Sequence, residues 1–152
     1  MLRKKIISLG LSAATASTLA FTVAASPASA DHNPQHTVCQ ALPSVVVTQN
    51  GVIAQAELDR NNASSDLDTA KSQLDDATSA YVNAINGLLD AVVNGGDVAL
   101  ATATLNVSTE NIGVKFVAWT NKTADLFIAQ YALDVAEWQM GIIEGLQAPC
   151  LS

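Results

Sequence analysis

The chain has 152 residues, 49% of them apolar, and sets 14 Asp and Glu against seven Lys and Arg for a formal net charge of −7. Bases this sparse give no electrostatic footprint for nucleic acid, and the acid excess is repelled by anionic lipid head groups. The length suits one domain with a real core rather than several.

Arg3, Lys4 and Lys5 open the chain, and an uncharged, apolar and small-residue run follows from Ile6 to Ala25. Ala28-Ser29-Ala30 then supplies a small-x-small cleavage pattern, with Pro27 just ahead of it. This order reads as a secretory signal peptide over residues 1–30, removed after Ala30. The apolar run is about long enough to stay as an anchor, but its Ser, Thr and Ala content and the adjacent cleavage pattern favour removal. The remaining 122 residues carry four bases (Arg60, Lys71, Lys115, Lys122) against 14 acids, a formal charge of −10. No further run is both long and uncharged enough to span a bilayer. The expected location is outside the cell or at its envelope.

Two cysteines survive that cut, Cys39 and Cys150, near the two ends. In an exported chain such a pair is expected to form a disulfide. No C-x-x-C spacing or ligand cluster suggests redox or metal work instead.

Residues 31–41 read as a flexible polar lead-in holding both histidines, His32 and His36, and residues 42–152 as a single all-helical domain. Pro43 fits the first turn of a helix, where its missing N–H costs nothing. From Leu67 the apolar pattern becomes regular. Leu67, Leu74, Tyr81 and Leu88 recur every seventh residue, and Ala70, Ala77, Ala84 and Ala91 follow each by three. That is a heptad seam with bulk at one core position and alanine at the other. It extends back in phase through Ala63, Arg60, Ala56 and Ile53. Asn61 and Asn62, ahead of a capping-box-like Ser65-Asp66-Leu67-Asp68, mark a place where the helix could break.

Asn94-Gly95-Gly96-Asp97 is the clearest turn, with Gly95 suited to a left-handed cap and Asp97 to an N-cap. A second helical region is expected from about 97 to 147, stopped by Pro149. Its best seam runs Leu100, Ala103, Val107, Glu110, Val114, Val117, Asn121, Ala124, Ile128, Tyr131, Val135, Trp138, Ile142. The fold class is therefore all-α: a long antiparallel helical hairpin, about 44–94 and 97–147, closed by Cys39–Cys150. Folding about the turn pairs residues whose numbers add to 191.

A second apolar line remains on the latter half, at the heptad position opposite that seam: Leu105, Ile112, Trp119, Leu126, Leu133 and Met140, widened by Phe116, Phe127 and Ile143. A two-helix hairpin would leave such a line in water, a larger patch than soluble monomers usually show. The hairpin must then associate with an unknown protein or a second copy, or else break near Asn61-Asn62 and Asn121 and fold over into a four-helix bundle.

Catalytic chemistry is not in evidence. With both histidines in the lead-in, a Ser-His-Asp or Cys-His set lacks its middle member. Metal-ligand spacings and phosphate-cradling glycine loops do not occur, so no cofactor is expected. Asp66, Asp68, Asp75 and Asp76 read as a solvated polar face. Arg60, Glu110 and Asn121, polar residues on the seams, read as register devices. Asn62-Ala63-Ser64, Asn106-Val107-Ser108 and Asn121-Lys122-Thr123 match a glycosylation triplet that often occurs by chance. The functional expectation is a secreted, non-enzymatic helical module acting by protein or envelope contact. The alternative is a carrier holding a small apolar ligand in a bundle cavity lined by Trp119, Phe116, Phe127 and Met140.

Overall fold

The computed structural model describes residues 34–150. The leader, its cleavage site and His32 lie outside the described residues, as does the side chain of His36. Two long helices, α1 (Pro34–Asn94) and α2 (Val98–Gln147), pack antiparallel and end in a short 3₁₀ turn, Ala148–Cys150. There is no strand among the described residues. Both arms run unbroken through Asn61-Asn62 and Asn121, so the hairpin and not the folded-over bundle is the architecture. None of the described helices is long and apolar enough to cross a membrane.

The connection is as tight as its residues allow. Gly95 takes φ +76°, the left-handed region that a side chain disfavours. Gly96 N–H donates to the Ala91 carbonyl at 2.8 Å, closing a Schellman-type cap. A Cβ at Gly96 would sit 3.1 Å from the Ala91 Cα, a tight approach that this second glycine avoids. Asp97 then caps α2 by accepting from Leu100 N–H at 2.9 Å.

At the opposite end Cys39 and Cys150 are bonded, with Cα atoms 5.5 Å apart. The first helix starts at Pro34, about ten residues before the expected boundary, so Pro34 to Ala41 are helical and not a flexible lead-in. Pro43 accordingly lies inside α1. A proline there removes one amide donor and crowds the carbonyl four residues back, which weakens the helix locally. The disulfide fastens the turns before Pro43 to the end of α2, and an apolar plug of Leu42, Met140 and Ile143, with Val45, Val46 and Ile53 against it, fills this end.

Between the two ends the seam of α1 is the one its heptads announce. Ala70, Ala77, Ala84 and Ala91 are all 8% exposed or less, and Leu67, Leu74, Tyr81 and Leu88 are half-buried beside them. The partner face of α2 is a different matter. The expected seam points out: Leu100, Val107, Val114, Val117, Ile128, Tyr131 and Trp138 are each more than half exposed. The line expected to be left in water turns inward instead. Leu133 and Met140 are buried, and Leu105, Ile112, Trp119 and Leu126 are half-buried.

The register explains the exchange. Cross-helix pairs fall where residue numbers add to 188 or 189: Asp66 with Lys122, Gln73 with Lys115, Gln49 with Gln139, Cys39 with Cys150. A value of 191 is two residues away, and two residues turn a helix by roughly 200°. At 189, Ala56, Ala63, Ala70, Ala77 and Ala84 stand level with Leu133, Leu126, Trp119, Ile112 and Leu105. Bulk on α2 thus meets alanine on α1. Each methylene withdrawn from water by this fit stabilises by about 0.8 kcal/mol.

Candidate functional site

Three features of the sequence hold the outward face of α2 outward. Its intramolecular side is already committed to α1 through the Leu105–Met140 line and Ala136. The cap at Asp97 and the disulfide at Cys150 then fix the rotation of α2 at both ends. What remains is a stripe with heptad spacing, Leu100 to Ile142, roughly 63 Å long at 1.5 Å per residue. Trp138 is 67% exposed and Phe127, flanking the stripe, 75%. Scaled by their exposures, the large apolar residues of the stripe present roughly 800 Å², above the few hundred Å² usual for a soluble monomer.

The expected interaction residues divide between the two sides. Leu105, Ile112, Leu126, Leu133 and Met140 belong to the intramolecular seam, where Met140 packs with Leu42 and Ile143. Phe116 and Phe127 are exposed. Trp119 is half-buried between these groups; its ring lies 5.8 Å from that of Phe116, and with Phe127, Ile128 and Ala124 it lines an open depression. A second open depression lies between the helices at Leu74, Ile112 and Phe116. Met140 is roughly 30 Å along the axis from Trp119 by the helical rise, so the four residues expected to line one ligand cavity do not converge.

The polar seam residues also move. Glu110 and Asn121 lie exposed on the outward face. Arg60 is half-buried and donates to Asn61 Oδ1 at 2.9 Å, while Tyr131 stands exposed away from it. Asn62, Asn106 and Asn121 of the three triplets are all exposed on helices. The acids Asp66, Asp68, Asp75 and Asp76 are exposed as expected, and no group of three or more potential metal ligands forms among the described residues.

Sequence reasoning missed three residues that set the register. Gln49 occupies an alanine position of the α1 seam and is fully buried. Its Nε2 donates to the Ala136 carbonyl at 2.7 Å and to Gln139 Oε1 at 3.3 Å, while its own Oε1 has no partner. Lys115 and Lys122 stand beside the inward line of α2 and reach across it, Lys115 Nζ to Gln73 Oε1 at 3.1 Å and Lys122 Nζ to Asp66 at 2.8 Å. Their stems cover the seam and their charges stay wet. The Lys122 pKa is raised above 10.5, first by its hydrogen bond to Asp66 and then by that carboxylate's charge. Lys71 is raised in the same way by Asp75, its neighbour one turn along α1.

Nothing in this constellation assembles a nucleophile with a base or a ring of ligands; what it assembles is a rigid helix with a long apolar face turned to solvent. No family model matches the chain, and no curated protein or solved structure matches it either.

Proposed function

We propose that the chain is an exported, non-enzymatic helical scaffold that acts by protein contact, through the outward stripe of α2. The observation that carries this reading is the stripe itself: heptad-spaced, roughly 63 Å long, and unused by the hairpin. An apolar face of this length in water is unfavourable, and cover by another helix removes the cost. The leader-like sequence over residues 1–30 and the bonded cysteines support an oxidising destination.

The carrier reading has less to rest on. Trp119, Phe127 and Ile128 do share an apolar depression, but it is open along one side of α2. Apolar ligands are held by enclosure, which buries most of their surface.

Photo-crosslinking side chains at Val107 and Tyr131, with a control at Glu57 on α1, test the proposal in the producing cells. Protein adducts at the two stripe positions and none at the control are expected. Adducts equally frequent at Glu57, or absent from all three sites, would remove the reading.

A further inference from the structure

The structure assigns the stripe an occupant: a second copy of this chain, docked antiparallel so that the two α2 helices lie together and the two α1 helices lie outside. This inference rests on the contact-scaffold reading and names its partner.

The edges of the stripe are the first ground. A helix face meant for water carries charge along its margins. Here the margins carry only two charges, Asp125 and Asp134, and are otherwise uncharged, with Gly113, Ala118, Ala132 and Gly141 their smallest residues. Adding a Cβ at Gly113 or Gly141 would meet nothing within the hairpin, so their smallness serves no contact inside it. Thr104 and Thr120 donate their hydroxyls to carbonyls of their own helix, which lowers the polarity of the margin further. Small edges let two helices approach closely, as the alanines of α1 do in the hairpin.

Area is the second ground. Covered in full, roughly 800 Å² per copy gives about 1,600 Å² for the pair, the size of a standard stable interface. α1 has no comparable line, and its acids Asp66, Asp68, Asp75 and Asp76 are exposed. The docked pair would thus cover the apolar stripe and leave the acidic helix in water.

The third ground is the fit of the stripe to itself. An isologous pairing with its two-fold between Lys122 and Thr123 brings Ala103 level with Ile142′, Val107 with Trp138′ and Val114 with Tyr131′, the smaller side chain against the larger, while Val117 meets Ile128′ and Glu110 lies level with Val135′. The charges in the stripe and its margins are Glu110, Asp125 and Asp134. A parallel pair would set Glu110 against Glu110′ in one layer. The antiparallel pair separates these two carboxylates by roughly 38 Å, at 1.5 Å per residue.

Sedimentation equilibrium of the purified chain, its N-terminus defined by mass spectrometry, tests the assignment. A dimer at micromolar concentration is expected. Ile128→Glu should weaken association at least about 100-fold with helicity and the disulfide intact, since Ile128 is exposed in the hairpin. Val107→Glu serves if that variant fails to fold, and Val93→Glu on α1 should leave the dimer unchanged. Nitroxides attached by a non-cysteine chemistry should report a short distance at Ala124 and roughly 60 Å at Ala103. A monomer up to about 100 μM, a dimer indifferent to both stripe variants, or short distances at both label sites would overturn the inference. A monomer that still yields stripe adducts with another protein overturns the self-pairing alone; the loss of every stripe adduct removes the scaffold reading as well.

Discussion

Along α1, burial returns once per heptad on a single line from Gln49 and Ala56 to Ala91, and the remaining surface carries Asp59, Asp66, Asp68, Asp75 and Asp76. Its exposed apolar residues, such as Val47, Leu58 and Val82, form no line that runs its length. Along α2 two apolar lines run the full length on nearly opposite sides. One is covered by α1 and the other is open. The two helices have similar lengths and share one register, yet one is saturated by a single neighbour and the other is not. Hydrophobic periodicity therefore shows that a face wants a partner, and only register shows which partner it has.

The largest effect expected on this contrast comes from the clasp. Cys39→Ser, or reduction, should cost about 2–5 kcal/mol, because the bond closes a loop of more than a hundred residues. Chemical denaturation reads the loss. Hydrogen exchange should show the added opening concentrated before and around Pro43 and leave the Gly95 end protected.

A sharper comparison sets Leu133→Ala against Trp138→Ala. Leu133 is 3% exposed, so truncation should cost about 2–4 kcal/mol in cavity and transfer terms. Trp138 is the larger side chain, but under conditions where the hairpin is monomeric its loss should stay within about 0.5 kcal/mol. Equal costs would mean that the two faces of α2 are not as different as their exposures state.

Gln49→Met should change stability by no more than about 1 kcal/mol, in the stabilising direction, because it removes a buried acceptor without a partner. Thermal denaturation measures this, and a large loss would show that the bond to the Ala136 carbonyl holds the pairing in place.

The smallest effect is electrostatic. The Lys122 pKa is raised in the folded chain, so its contribution is fully present below about 10.5 and fades as pH rises through the higher folded value. Lys122→Met should therefore run slightly below the wild type by a constant margin up to that range and meet it above. A difference that persists above the folded value would point to lost packing of the stem and not to charge.

Much of this fold was legible. Heptads with alanine at alternate core positions, the double glycine with its following aspartate, and two cysteines at matched distances from the turn together specify a clasped hairpin. What the residues hid was the rotation of α2. The inward line carries Ser108, Lys115 and Lys122 three residues after its large members, which makes it look like a solvated face. The outward line has Val and Ala at the same spacing and looks like a core. The lysines belong inside because their methylene stems pack while Nζ reaches Asp66 or Gln73. One signal could have decided the matter: Cys39 and Cys150 add to 189, and at that value the α1 alanines from Ala56 to Ala84 stand level with large α2 residues. The open face, and with it the candidate site, was hidden for the same reason.

The Cys39–Cys150 bond and the backbone between its two cysteines make one covalent ring that includes both arms and the glycine turn. A single proteolytic cut anywhere inside that ring yields two peptides that stay joined and are still held against each other along the seam. The nicked protein would keep its mass on a non-reducing gel and release two fragments only when the sulfur link is opened.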